Sequence, residues 1–320
     1  MSNHNNDGGG VTSDMMEQQS EEIATSENNE CWVCADSTSL LTRSRNRTLM
    51  RGCACRGSAG YAHLDCLTQV AFHNNENWDT CPTCKQDYTG KVRLGLARER
   101  WGMVRDSCRY DMERLNAADR FASALQECAM DNQGALLLFQ EVLEISREVD
   151  GNEDSNTLVS MSNLGSLHQK MGNNDLALPL FEEALDTQRR TMGNESPDTL
   201  RTMSNLSTLH LRTEDFGKAL PLAMDALATR RRVLGKDHVD TLESVHNMGL
   251  LRWHMAHGEF VSFHTAEVFT GVCKLKDLKD SVDFLKRAVE ARSRVLGSQH
   301  HQTKASVRAL GYAEWRIKEL

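Results

Sequence analysis

Eight residues between positions 31 and 84 constrain this chain more than any others: Cys31, Cys34, Cys53, Cys55, His63, Cys66, Cys81 and Cys84. They fall in four close pairs, with one residue between Cys53 and Cys55 and two inside each of the other pairs. A short spacer lets both members of a pair reach the same ion. Zinc prefers four thiolate or imidazole ligands in a tetrahedron. Eight ligands therefore make two closed sites, with no position left for a catalytic water, and predict two structural Zn2+ ions. The segment is poor in apolar residues and would hardly fold unaided. Metal binding would supply the missing free energy, on the order of 10 kcal/mol per structural zinc.

The rest of the composition sets the context. Seven of the ten cysteines lie in this one segment; the others are Cys108, Cys128 and Cys273. The N-terminus has neither a basic start nor an apolar stretch, so it does not read as a signal peptide. The longest aliphatic or aromatic run is the five residues Ala135 to Phe139, too short to span a bilayer. A reducing compartment is expected, the cytoplasm with the nucleus as alternative, and there clustered thiols favour metal over disulfide. Residues 1–30 hold seven acidic residues and no Lys or Arg, which accounts for nearly all of the net charge of −8. This stretch reads as a disordered acidic tail. The remainder is nearly neutral, so no nucleic-acid partner is predicted.

The ligand series, with "RGCACRGSAGYAHLDC" at 51–66, resembles the RING-CH (RINGv) variant of the RING finger over residues 31–88. The one-residue gap in the second pair and the seven residues before His63 are its distinguishing features. The resemblance implies a cross-brace, with Cys31, Cys34, His63 and Cys66 on one zinc and Cys53, Cys55, Cys81 and Cys84 on the other. It implies a ubiquitin ligase that does no covalent chemistry itself. Such a domain orients a ubiquitin-charged conjugating enzyme toward a substrate lysine. The docking surface would include Val33, Val70 and Pro82, although the family often has Trp where Val70 stands. Lys85 would act as the basic linchpin, a point charge where Arg would offer a planar fork. Packing within the small domain is the other reading of Val33 and Val70. The PHD finger, a histone-tail reader, shares the ligand order, but its gap before His is usually shorter and its Trp stands two residues before the seventh ligand. Here Trp78 stands three before Cys81. Gly52, Gly57 and Gly60 are expected to let the backbone turn between the ions. The loop carrying Arg43, Arg45, Arg47 and Arg51 reads as solvated.

A repeat follows. "NTLVSMSNLGSLH" at 156–168, "DTLRTMSNLSTLH" at 198–210 and "DTLESVHNMGLLR" at 240–252 superpose with a shift of 42 residues. Gly151, Gly193, Gly235 and Gly297 each precede a Thr by six positions. Each unit reads as two amphipathic helices. Leu158, Met161, Leu164 and Leu167 line the first, and Leu176, Leu180, Phe181 and Leu185 the second. Gly193 suits the left-handed position that ends a helix. Asn156, Asp198 and Asp240 are candidate N-caps. Pro179 and Pro221 fall near the start of the second helix, where a missing N–H costs least.

The pattern resembles the long tetratricopeptide repeats of kinesin light chains over about 130–256 and 278–320. HEAT or armadillo units are the alternative at this period. The resemblance implies a concave groove for an extended peptide, with Asn163, Asn205 and Asn247 as a ladder on its backbone. A carboxamide can donate and accept at once. The other reading is that these asparagines tie neighbouring helices together. His168 and His210 also recur and read as groove or packing residues. The last step between glycines is 62 residues, so about 20 are surplus near 259–278, either an insertion or retained intron sequence.

The expected architecture is thus a small two-zinc cross-brace at 31–88, a connecting helix at 89–114 and an all-α solenoid at 115–320. The expected function is a RING-type ligase whose solenoid recruits a substrate or adaptor. The alternative is a non-enzymatic scaffold, or a PHD-like binding module joined to repeats.

Overall fold

The computed structural model describes residues 30–34, 49–53, 55, 60–257 and 272–318. The acidic tail through residue 29, the loop with Arg43, Arg45 and Arg47, Gly57 and residues 258–271 of the surplus segment lie outside the described residues.

The N-terminal module is built on a two-stranded antiparallel sheet, β1 (Leu49–Arg51) and β2 (Tyr61–His63), with Met50 opposite Ala62. Helix α1 (Leu64–His73) follows without a break. Its Leu64, Leu67 and Ala71 are buried, at the three- and four-residue spacing of one helical face. A 3-10 turn at Asn75–Trp78 leads into the last ligand pair.

Helix α2 (Gly90–Val104) departs from the connecting helix expected over 89–114. It ends at Val104, and Met112 begins a new helix, α3 (Met112–Ala124). It also does more than connect. Val92 and Leu96 are buried in the core of the metal-binding module. Leu94 and Trp101, on other sides of the same helix, pack against the cores of the repeats. A helix with apolar residues on several sides has no single stripe for a periodicity argument to find.

Gly52 has a related explanation. A Cβ there would lie 2.4 Å from the Cβ of Val92, so the glycine lets the chain after β1 pass directly beneath α2. Neither Gly52 nor Gly60 has a positive φ. The expected turning role is therefore replaced by close approach, since a Cβ at Gly60 would meet the Cys55 carbonyl at 2.7 Å.

The rest is helical: α4 (Asn132–Val149), α5 (Ser155–Lys170), α6 (Asn174–Thr191), α7 (Pro197–Arg212), α8 (Phe216–Val233), α9 (Val239–His257), α10 (Val272–Val295) and α11 (His301–Lys318). From α3 to α10 they form four consecutive pairs, and α11 stands as the first helix of a fifth. Residues 272–278 of the expected insertion open α10. Each pair closes around apolar residues that recur at the 42-residue shift, such as Leu158, Leu200 and Leu242, all buried. Burying a Leu or Phe side chain completely contributes about 1.5–3 kcal/mol.

The glycine–threonine spacing has a physical basis. Gly193, Gly235 and Gly297 have φ between 83° and 90° and end their helices in the left-handed region. The Thr199 hydroxyl then donates to the Gly193 carbonyl at 2.8 Å, locking the turn between repeats.

The expected caps are displaced. Helices α5, α7 and α9 start at Ser155, Pro197 and Val239, which places Asn156, Asp198 and Asp240 inside the first turn. Asp154 caps α5 by accepting from the Asn156 N–H. Acidic residues suit the first turn as well as the cap, so composition alone fixes the start only to within a residue or two. Pro179 and Pro221 sit six residues into α6 and α8, past the first turn, and each removes one intrahelical donor.

Candidate metal centre and repeat surface

The structure brings the eight ligands into two groups, Cys31 with Cys34, His63 and Cys66, and Cys53 with Cys55, Cys81 and Cys84. Within each group all ligand atoms lie within 4.8 Å of one another. The two groups interleave along the chain, as a cross-brace requires.

Local structure aims each ligand. The backbone N–H of Trp32 donates to Tyr61 O at 3.1 Å, which ties the first pair to β2. His63 ends β2 and precedes α1, whose first turn carries Cys66. The two side chains, three residues apart, converge on one face. Arg51 donates to Cys55 O at 2.7 Å and fixes the second pair beside β1. In the last pair Cys81 N–H donates to Gln86 O and Lys85 N–H to Cys81 O, both at 2.9 Å. That tight turn forces Lys85 to φ 57°, a left-handed conformation uncommon outside glycine.

The donor geometry fits zinc. Tetrahedral Zn–S and Zn–N bonds place two sulfurs about 3.8 Å apart, and a sulfur and a nitrogen about 3.5 Å apart. Cys55 Sγ and Cys81 Sγ are 3.7 Å apart. Nδ1 of His63 is 3.5 Å from Cys34 Sγ and 3.7 Å from Cys66 Sγ. Electrostatics point the same way. Without a cation, burial pushes the Cys53 thiol up to about 11 and the Cys66 thiol up to about 12, with neighbouring cysteines adding to the rise at Cys66. Burial also works against ionisation of Cys31 and Cys81, but backbone N–H donors outweigh it and lower both. Each group thus pairs a thiol whose ionisation its backbone neighbours favour with one whose ionisation burial opposes. Two clusters of four ligands fit two zinc ions, which would close both sites and supply no open coordination position.

The other predicted residues are placed as follows. Val33 is half-buried inside the first pair and Pro82 inside the last. Val70 is half-buried on α1, and Lys85 is exposed. Phe72, which sequence reasoning passed over, is 70% exposed on α1. The spacing of Leu64, Leu67 and Ala71 turns Phe72 outward, so helical periodicity was the available signal.

Trp78 is also more than a family marker. It is buried, with the Arg100 guanidinium of α2 5.8 Å from its ring centre. Next to it, Asp79 is paired with Arg120 of α3. A second pair, Arg93 of α2 with Glu127, spans α2 and the turn after α3. The metal-binding module is therefore held to the repeats by packing, a cation–π contact and ion pairs.

On the repeats, the Asn163 amide donates to Asp119 Oδ1 at 2.8 Å and the Asn205 amide to Ser166 Oγ at 3.0 Å. Both bonds cross from one first helix to the one before it. Asn247 is half-buried at the equivalent place on α9. Burial raises the pKa of Asp119, while the Asn163 hydrogen bond and Arg201 oppose the shift. His168 and His210 are buried, and burial lowers both pKa values, as suits packing residues.

A family model described as the RING-variant domain matches residues 31–84, and one described as the tetratricopeptide repeat matches 113–190 and 156–232. The chain thus carries a RING-variant domain followed by tetratricopeptide repeats. Among solved structures, it is similar to BtubC (BKLC) from P. vanneervenii, with 18% identity over 71% of this chain and 84% of that one, at a TM-score of 0.52. It is also similar to a putative kinesin light chain with nearly identical TPR-like repeats from Podosopora anserina. That match has 20% identity over 67% of this chain and 90% of the other, at a TM-score of 0.49. A search of curated proteins gives no match. Among the described residues, no helix is long and apolar enough to cross a membrane.

Proposed function

We propose that the chain is a RING-type ubiquitin ligase in which the finger holds a ubiquitin-charged conjugating enzyme and the repeats hold a substrate or adaptor. One observation carries this reading: a RING-variant ligand set forms two closed four-ligand sites, with half-buried Val33 and Pro82 on the metal turns and half-buried Val70 and exposed Phe72 on α1. Closed sites leave the metals no Lewis-acid role. The function then lies in the surface they brace. Val33 and Pro82 on the two metal turns, with Val70 and Phe72 on α1, supply apolar contact for the enzyme. Lys85 supplies a charge toward ubiquitin. Transfer is accelerated because thioester and lysine are held together, an effect of orientation. Asn163, Asn205 and Asn247 border the groove proposed for a peptide segment, and the amides of the first two also tie neighbouring first helices together. The proposed place of action is the cytoplasm.

The test is discharge of ubiquitin from a panel of charged conjugating enzymes by the purified full-length chain. Zinc-dependent discharge is expected, lost in Val33→Arg and Phe72→Glu while zinc content stays at two per chain, and reduced in Lys85→Ala. Absence of zinc-dependent discharge across a broad panel overturns the ligase and leaves a scaffold. Unchanged discharge in Lys85→Ala removes the linchpin role alone.

A further inference from the structure

We propose that the outer face of α11 is a docking site for a separate amphipathic helix with acidic flanks and a bulky apolar residue, seated over Gly311. The argument begins with a position that recurs in the first helix of each repeat. At Gly165, a Cβ would come within 2.9 Å of the Phe181 ring of α6. At Gly249, it would come within 2.8 Å of Leu285 of α10. In these two repeats the second helix thus presses a large apolar side chain onto a glycine of the first; in α7 the position is Ser207, whose hydroxyl donates to Ala219 O of the second helix at 2.8 Å. Gly311 holds the equivalent position in α11, and among the described residues a Cβ there would meet nothing within 4 Å.

The surroundings are built for contact. Thr303, Ser306 and Ala313 are buried against the preceding pair. On the opposite side Val307, Tyr312 and Trp315 are 51%, 59% and 56% exposed. Arg308, Gly311, Tyr312 and Trp315 line a shallow hollow of about 450 Å³. A helix face of a repeat array that no neighbouring helix covers normally turns polar side chains to solvent. Here three large apolar side chains sit there instead, in continuity with the interface that each earlier repeat fills with its own second helix.

Charge selects the occupant. Lys304, Arg308 and Lys318 are exposed on α11, while its one carboxylate among the described residues, Glu314, is engaged by Lys286. A second copy is a poor fit. In an antiparallel pairing centred on Gly311, Lys304 of one copy meets Lys318 of the other, and a parallel pairing sets each cation against itself. An acidic helix meets the same cations favourably. This proposal is independent of the ligase reading.

The probe is a fluorescein-labelled peptide with the 18-residue sequence of α6, in which both arginines are replaced by Glu. It is titrated against the full-length, zinc-loaded chain by fluorescence anisotropy. Saturable binding is expected, weakened at least about tenfold by Gly311→Leu or Trp315→Ser in the chain, or by Phe181→Ala in the peptide. Lys304→Glu with Arg308→Glu is expected to weaken it by a similar factor at low salt and less at high salt. Gly311→Leu places a good helix former at an open position, so the melting temperature of the chain should hold or rise. No saturable binding, or equal binding by Gly311→Leu, overturns the proposal. A fall in melting temperature in Gly311→Leu overturns it in favour of a segment of this chain on the face. A concentration-dependent dimer abolished by Gly311→Leu overturns it in favour of a second copy.

Discussion

The finger and the repeats solve the same problem by opposite means. In the finger, eight ligands converge on two points, and backbone hydrogen bonds such as Cys81 N–H to Gln86 O and Trp32 N–H to Tyr61 O hold the turns that carry them. In the repeats no single residue matters as much. Leu158, Leu200 and Leu242 do the same work in successive units. The first architecture is all-or-none in its ligands; the second degrades in steps. Helix α2 belongs to both, and its Val92–Leu96 and Leu94–Trp101 sides are where the two strategies meet.

Removing zinc is the largest test of this contrast. Chelation at neutral pH should unfold the finger, at a cost on the order of 10 kcal/mol per ion, and leave α5 to α10 helical. Circular dichroism would read the helices, and zinc released to a colorimetric chelator would read the finger. Helical signal collapsing together with zinc would mean one cooperative unit. Next in size is Phe181→Ala, expected to cost about 3–5 kcal/mol in the thermal melt of the repeats while zinc content stays unchanged.

The third test uses pH. Burial, with Arg292 nearby, pushes the His246 pKa from 6.5 down to about 4. Its ring contacts Ser306 Oγ at 3.3 Å. Folding holds the neutral form, so this contribution is complete above pH 6.5 and is lost as pH falls from 6.5 toward 4. The ceiling is about 3 kcal/mol. The stability difference between the wild type and His246→Gln should therefore shift across that window and stay constant above it. The smallest effect tests the meeting point. Gly52→Ala should cost about 1–3 kcal/mol by overpacking against Val92, and Val92→Ala in the same chain should recover part of it. No recovery would mean that the contact between the finger and α2 is not what Gly52 serves.

The two regions were also unequally legible. Ligand spacing determines which atoms can share an ion, so the eight metal-binding positions could be read from residue order and family pattern alone. The 42-residue shift carried the helix pairs in the same way. Helix α2 was misread because its apolar residues point several ways and leave no stripe. Gly52 was misread because a glycine at a close approach looks, in sequence, like a glycine at a turn. The cap positions slipped because Asp198 suits a first turn and a cap alike. Exposed Phe72 was readable from periodicity, but its outward position gains meaning only beside the braced metal turns. The hydrogen bonds of Asn163 and Asn205 to the preceding helices depend on how neighbouring repeats stack, which no local spacing encodes.

The burial of Val92 and Leu96 bears on how this protein can be taken apart. The recognisable motif stops at Cys84, yet Gly52 and Leu64 lean on residues that come after it. A fragment cut at the last ligand would carry an open apolar edge into solution, and poor behaviour of that fragment would say little about the intact protein. A graft that keeps the chain through Val104 would move the finger with its own wall attached, ready to be set against a different set of repeats.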